Sequence, residues 1–147
     1  MLSTAELELP YPAAALFDLA ADIEAYPSFL PGWIEAHVEQ RDAQWCRAVQ
    51  TVGLGPVRLR FRTQARFHRP ERIEIDSDDP QFRRLSFSWC FAASAVGSCR
   101  VSLTLDLELR SRLLQRSSEW AAPSAAGDVL GAFAAHVRQR LQPVSSA

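Results

Sequence analysis

The side chains best suited to nucleophilic, redox or metal chemistry are three cysteines, Cys46, Cys90 and Cys99, and three histidines, His37, His68 and His136. Their spacing argues against all three chemistries. No Cys-x-x-Cys pair occurs, the cysteine count is odd, and no histidine stands at ligand spacing from another or from a thiol. Reduced thiols in a cytoplasmic setting are the expectation. His37 and His68 flank strand ends, and His136 lies beside the apolar stripe of a C-terminal helix, so all three read as surface or capping residues. No nucleophile elbow, P-loop or dinucleotide fingerprint is present. General acid–base work needs titratable groups inside a desolvated pocket. Between residues 57 and 110 every Asp, Glu and Arg that alternation can place falls on the polar side of its strand. The weak interior polar candidates are Cys99, Ser77, Thr63 and Gln50.

The elements that position these residues follow from hydrophobic period. Residues 2–9 read as a strand that Pro10 ends. Pro12 suits a first helical position, and Leu16, Leu19, Ala20 and Ile23 follow at helical spacing. Asp22 is placed to cap a second short helix ending at Tyr26, before Pro27. From residue 34 the period is two. Ile34, Ala36 and Val38 begin a strand, 44–52 form another, and GLGP at 53–56 reads as a turn. In VRLRFRTQARF, Val57, Leu59, Phe61, Thr63, Ala65 and Phe67 oppose Arg58, Arg60, Arg62, Gln64 and Arg66. Residues 72–78 set Ile73, Ile75 and Ser77 inward. Residues 82–91 set Leu85, Phe87, Trp89 and Phe91 inward. Residues 99–110 do the same with Cys99, Val101, Leu103, Leu105, Leu107 and Leu109. Leu130, Phe133, Ala134, Val137 and Leu141 give a closing helix. It is expected to start near Arg112, with Leu113, Leu114 and Trp120, and to be kinked or broken by Pro123 and Gly127. The fold class is α+β: an antiparallel sheet of about six to seven strands, one dry face, and a long helix laid across it.

The totals fit one domain over 1–142 with a short disordered tail over 143–147. Net charge is −1, so no bulk field draws the chain to DNA or to an acidic membrane. All 16 basic residues are arginine. The stripe Arg58, Arg60, Arg62, Arg66 could be an anion or RNA track. A hairpin pairing Phe67 with Ile73 would instead set Arg66 opposite Glu74 and Arg62 opposite Asp78, neutralising it. Pairing Val52 with Val57 puts Cys46, Ala48 and Gln50 inward, small or flexible residues that leave room. The loop YPSFLPGW over 26–33 is rigid yet apolar. It is either the rim of an opening or a plug folded into the core.

DLAADIEAYPSFLPGW (18–33) resembles the signature of the coenzyme Q-binding START-domain proteins, often labelled polyketide cyclase/dehydrase-like, which include RatA-type ribosome association toxins. Asp22, Tyr26, Pro27, Phe29, Leu30 and Pro31 match that pattern. FRRLSFSWCF is similar to a second family word through Phe82, Leu85, Trp89 and Phe91. Gly32-Trp33 and Asp79-Pro80-Gln81 depart from it. The resemblance covers nearly the whole chain and implies a helix-grip fold, a curved sheet wrapped on the C-terminal helix around a tunnel.

It further implies a protein that binds a polyprenyl quinone (ubiquinone) without chemistry on it, as a carrier or chaperone supporting respiration, with no cofactor and no metal. The expected ligand-binding residues are Phe29, Leu30, Pro31, Trp33, Phe61, Phe87, Trp89, Phe91, Leu103, Leu130, Phe133 and Val137. As a rim, Phe29, Leu30 and Trp33 would touch a bilayer transiently, placing a cytoplasmic protein at the inner membrane. The alternative is a RatA-type partner of the large ribosomal subunit. A polyketide aromatase/cyclase is the third and weakest expectation.

Overall fold

A computed structural model describes residues 2–54, 56–117 and 124–141. The expected trailing segment 143–147, Trp120 and Pro123 lie outside the described residues. Strand β1 (Leu2–Leu9) leads into helix α1 (Ala13–Ala21) and a 3-10 turn over Ile23–Ser28. Six strands follow: β2 (Trp33–Arg41), β3 (Trp45–Leu54), β4 (Val57–His68), β5 (Arg72–Asp76), β6 (Phe82–Ala93) and β7 (Cys99–Leu109). Helices α2 (Arg112–Ser117) and α3 (Ala125–Arg140) close the described chain. The strands form one antiparallel sheet in the order β1-β7-β6-β5-β4-β3-β2. This is the sheet-and-helix architecture that the resemblance implies.

Alternation fixes the dry face. In β4, Leu59, Phe61, Thr63, Ala65 and Phe67 are buried and the intervening arginines are exposed. In β7 every odd residue from Cys99 to Leu109 is buried. α1 lays Leu16, Phe17, Ala20 and Ala21 on that face, and α3 lays Val129, Leu130, Phe133, Ala134 and Val137 on it. Phe17 meets Phe67 and Phe91 edge-on. Ser3 of β1 accepts the Ala126 N–H, anchoring the start of α3.

Several expectations are corrected. Val52 faces Leu59, not Val57, and the turn closes at Leu54 opposite Val57. A slip of two residues preserves parity, so Cys46, Ala48 and Gln50 are inward as expected. Ile34 is not inward. An irregularity between Trp33 and Glu35 gives the inward place to Trp33 and leaves Ile34 exposed. A similar shift between Phe82 and Arg84 puts Phe82 and Leu85 on one face. β5 ends at Asp76, so Ser77 leaves the inner face and its hydroxyl donates to the Arg62 carbonyl. Arg66 does pair with Glu74 in register, but Arg62 never meets Asp78 across a strand. Its guanidinium reaches Glu39 at 2.9 Å instead. The 3-10 turn runs through Pro27 to Ser28, and Asp22 caps it without a side-chain bond.

Candidate functional site

Most of the expected site residues converge in the space between the sheet and the helices. Its centre is the stretch 26–33. Tyr26, Leu30 and Trp33 are buried and Phe29 is partly so. The Tyr26 hydroxyl donates to the Ala20 carbonyl at 2.5 Å, which ties the loop to the end of α1. Gly32 takes φ 83°, a left-handed turn that returns the chain to β2 without strain for a residue lacking Cβ. Trp33 then contacts Tyr26 and Phe87, while Phe29 leans on Phe133 and stacks on His136 with centroids 3.9 Å apart. The loop is therefore a plug. Leu30 and Trp33, expected at a membrane-facing rim, point inward, and Pro31 is exposed on the loop's outer side.

The other expected residues divide into two groups. Phe61, Phe87, Trp89, Leu103, Leu130, Phe133 and Val137 line the centre. Phe91 lies towards the end capped by α1. Between the described residues lie two small apolar voids of about 20 Å³ each, each with room for about one water. The inner void is bounded by Tyr26, Trp33, Gln50, Thr63 and Phe87. The outer void lies among Val52, Leu59, Phe82, Leu107 and Leu109, at one end of the sheet. Phe61 and Leu85 line both and form the partition between them. Neither of these two voids approaches the roughly 300 Å³ or more that a drug-sized ligand needs.

Polar groups inside this interior are few and uncharged. Trp33 Nε1 donates to Gln50 Oε1 at 2.6 Å, and Gln50 Nε2 donates to Thr63 Oγ1 at 2.9 Å. Trp89 is completely buried, and its Nε1–H has no hydrogen-bond partner among the described residues. Burial drives the Tyr26 hydroxyl far above the usual phenol range. The Trp89 indole, which favours the ionised oxygen, opposes that shift but makes no hydrogen bond of normal geometry. Burial also raises the Cys46 and Cys99 thiols, which makes them poor nucleophiles.

Sequence reasoning placed His136 on the surface, and the structure buries it. Burial first, and then the nearby Arg140, hold its pKa below the ordinary value, against a weaker pull from Asp22. Its spacing of three from Phe133 was the available signal. Tyr26 and Phe82 were also absent from the expected site. Tyr26 sits in the family-like word, and Phe82 was hidden by the strand irregularity. Among the described residues no three His, Cys, Asp or Glu side chains gather as a metal site, and no helix is long and apolar enough to cross a membrane.

Residues 9–134 match the family model described as polyketide cyclase / dehydrase and lipid transport. The ribosome association toxin RatA of Pseudomonas aeruginosa is 31% identical over 131 residues, covering 89% of this chain and 91% of that protein. The mitochondrial coenzyme Q-binding protein coq10 of Schizosaccharomyces pombe is 26% identical, covering 91% and 86%. A START superfamily protein from Mycobacterium smegmatis superposes with a TM-score of 0.73 at 15% identity, over 98% of this chain and 99% of that one. That likeness establishes the fold.

Proposed function

From the premise that the chain belongs to the polyketide cyclase/dehydrase and lipid transport family, we propose that it is a non-catalytic carrier of a neutral, hydrocarbon-tailed quinone. The supporting observation is an interior lined by aromatic and aliphatic groups, without an ionised side chain, around one unpaired indole N–H. A buried donor without a partner costs about 1–3 kcal/mol. A quinone carbonyl is an acceptor that would recover that cost without bringing a charge. An isoprenoid tail asks only for apolar surface, at roughly 0.8 kcal/mol per buried CH₂. The coenzyme Q-binding relative supports the same reading.

Entry into the two small voids requires them to widen. Phe29 is the member of the plug that is only partly buried, so the loop is the element whose displacement loses least. With Phe61 and Leu85 turned aside, the two voids become one channel from the Gln50–Thr63 pair towards the sheet end. The head would sit past the inner void, with a carbonyl on the Trp89 N–H, and the tail would run outward through the two voids. Among the described residues no acid–base pair converges on the interior, and the Cys46 and Cys99 thiols are raised, which favours binding over chemistry on the ligand.

Titration with a short-tailed ubiquinone, followed by quenching of tryptophan fluorescence, tests this reading. Trp89→Phe keeps the ring and removes the donor. We expect it to weaken binding about tenfold, in line with one buried hydrogen bond, at little cost to the melting temperature. Unchanged affinity in a folded Trp89→Phe protein would remove Trp89 from the site, and no saturable quenching in the parent protein would remove the quinone. The 31% identity to a ribosome association toxin, in a match covering 91% of its length, favours a second reading, a cytoplasmic protein that binds the large ribosomal subunit. Co-sedimentation with that subunit at rising salt distinguishes the two.

A further inference from the structure

The strand directions gather one set of residues at a single end of the sheet. β1, β2, β4 and β6 begin there, and β3, β5 and β7 finish there. Among the described residues, four of the five exposed large hydrophobics belong to this end: Leu2 (62% exposed), Ile34, Val57 and Leu113 (76%). The fifth, Val96, lies in the β6–β7 turn at the opposite end. The same end carries Arg58 and Arg60 of β4, Arg110 after β7, and Arg112 and Arg116 of α2. Gln81 joins these segments, because its side chain donates to the Arg60 carbonyl at 2.8 Å and its carbonyl accepts the Arg110 N–H at 3.0 Å.

Charge at this end is unevenly neutralised. Arg83 and Arg84 are engaged by Glu108 and Asp106. Asp79 is held by Gln81, and Asp78 and Glu35 add two further described carboxylates. Arg58, Arg60, Arg110, Arg112 and Arg116 have no ion-pair partner among the described residues. The outer void, among Leu59, Phe82 and Leu109, lies just beneath.

We propose that this end of the sheet, through Arg58, Arg60, Arg112 and Arg116 around Val57 and Leu113, docks the protein on an anionic phospholipid surface. The proposal deepens the carrier reading and rests on it, since the channel would then open where the ligand is collected. Arginines attract an anionic headgroup layer, and apolar side chains set between them enter its boundary. A single-stranded RNA surface would call for exposed stacking rings. Among the described residues, the exposed large ones here are aliphatic. The surface also differs from the loop over 26–33, whose apolar side chains are taken up by the core.

Flotation of the full chain with phosphatidylglycerol–phosphatidylethanolamine vesicles, against phosphatidylcholine vesicles, tests the proposal. We expect flotation on the anionic vesicles alone, falling as salt rises. Each arginine removed should weaken partition about fivefold, so Arg58→Ala with Arg60→Ala, or Arg112→Ala with Arg116→Ala, should each lower it about 25-fold. Leu113→Ser should weaken it about tenfold. Thermal melts verify that the variants fold.

Absence of flotation at low salt, or flotation indifferent to all three variants, overturns the docking surface. Sedimentation with ribosomal subunits through these same arginines, with no vesicle binding, overturns it in favour of a nucleic-acid surface. Short-tailed quinone titrated in vesicle-free solution separates the two claims. Binding there without flotation leaves the carrier reading and removes the docking surface. Arginine-dependent flotation without quinone binding supports the surface and removes the carrier reading.

Discussion

The two faces of the sheet are made by the same strands, residue by alternate residue, yet they hold together by different physics. The concave face is covered by α1, α3 and the plug, and its aromatic side chains touch one another from Phe17 through Phe91, Trp89 and Phe87 to Trp33 and Tyr26, while Phe61 meets Phe82. The convex face is open to water and held in charge balance. Arg62 meets Glu39, Arg66 meets Asp76, and Arg84 meets Asp106 and Glu108, all across strands or between them. Stability therefore resides in the concave face. The convex face sets solubility and, at one end, a surface where the balance is left incomplete.

Substitutions should separate the faces in order of effect. Phe133→Ala removes a wholly buried ring that Phe29 and Trp89 both touch. A loss of about 3–5 kcal/mol in denaturant unfolding is expected. A smaller loss would mean that the plug collapses into the space. Gln50→Leu deletes the acceptor for Trp33 and the donor to Thr63 inside the apolar layer. Its expected cost is about 1–3 kcal/mol, measured in the same way.

His136 gives a smaller, pH-dependent signature. Its pKa is lowered in the folded state, so the unfolded chain binds more protons as pH falls through about 6.5. Stability is lost over that interval and levels off below the folded pKa. His136→Phe, which can still stack on Phe29, should show a melting temperature that declines less between neutral pH and pH about 5. Equal slopes would place the titration elsewhere. The least effect belongs to the convex face, where Arg62→Ala should move the melting temperature no further than experimental scatter, since exposed ion pairs contribute little. A large drop would erase the contrast between the faces.

Much of this was legible in the sequence where only parity mattered. The inward sets of β4, β6 and β7 follow from alternation, and those of β3 survived a register two residues off. What was illegible depended on tertiary choice. Nothing in YPSFLPGW distinguishes a rim from a plug, because an apolar loop suits either. The Tyr26 hydrogen bond to Ala20 and the fit against Phe87 and Phe133 decide it. The exchange of Trp33 for Ile34 required an irregularity at the start of β2 that no local signal marks. The closing helix could be read from its stripe, but α3 runs unbroken through Gly127, which was expected to kink or break it, and Pro123 lies outside the described residues. The arginine stripe had two readings, and the structure divides it: Arg62 and Arg66 are paired, whereas Arg58 and Arg60 join a patch assembled from three segments.

The most direct measurement is mass spectrometry of the lipids extracted from freshly purified protein. The account predicts a polyprenyl quinone approaching one per chain, reduced in Trp89→Phe. Protein that emerges folded and lipid-free from quinone-producing cells, and stays so after incubation with quinone-loaded vesicles, would contradict it.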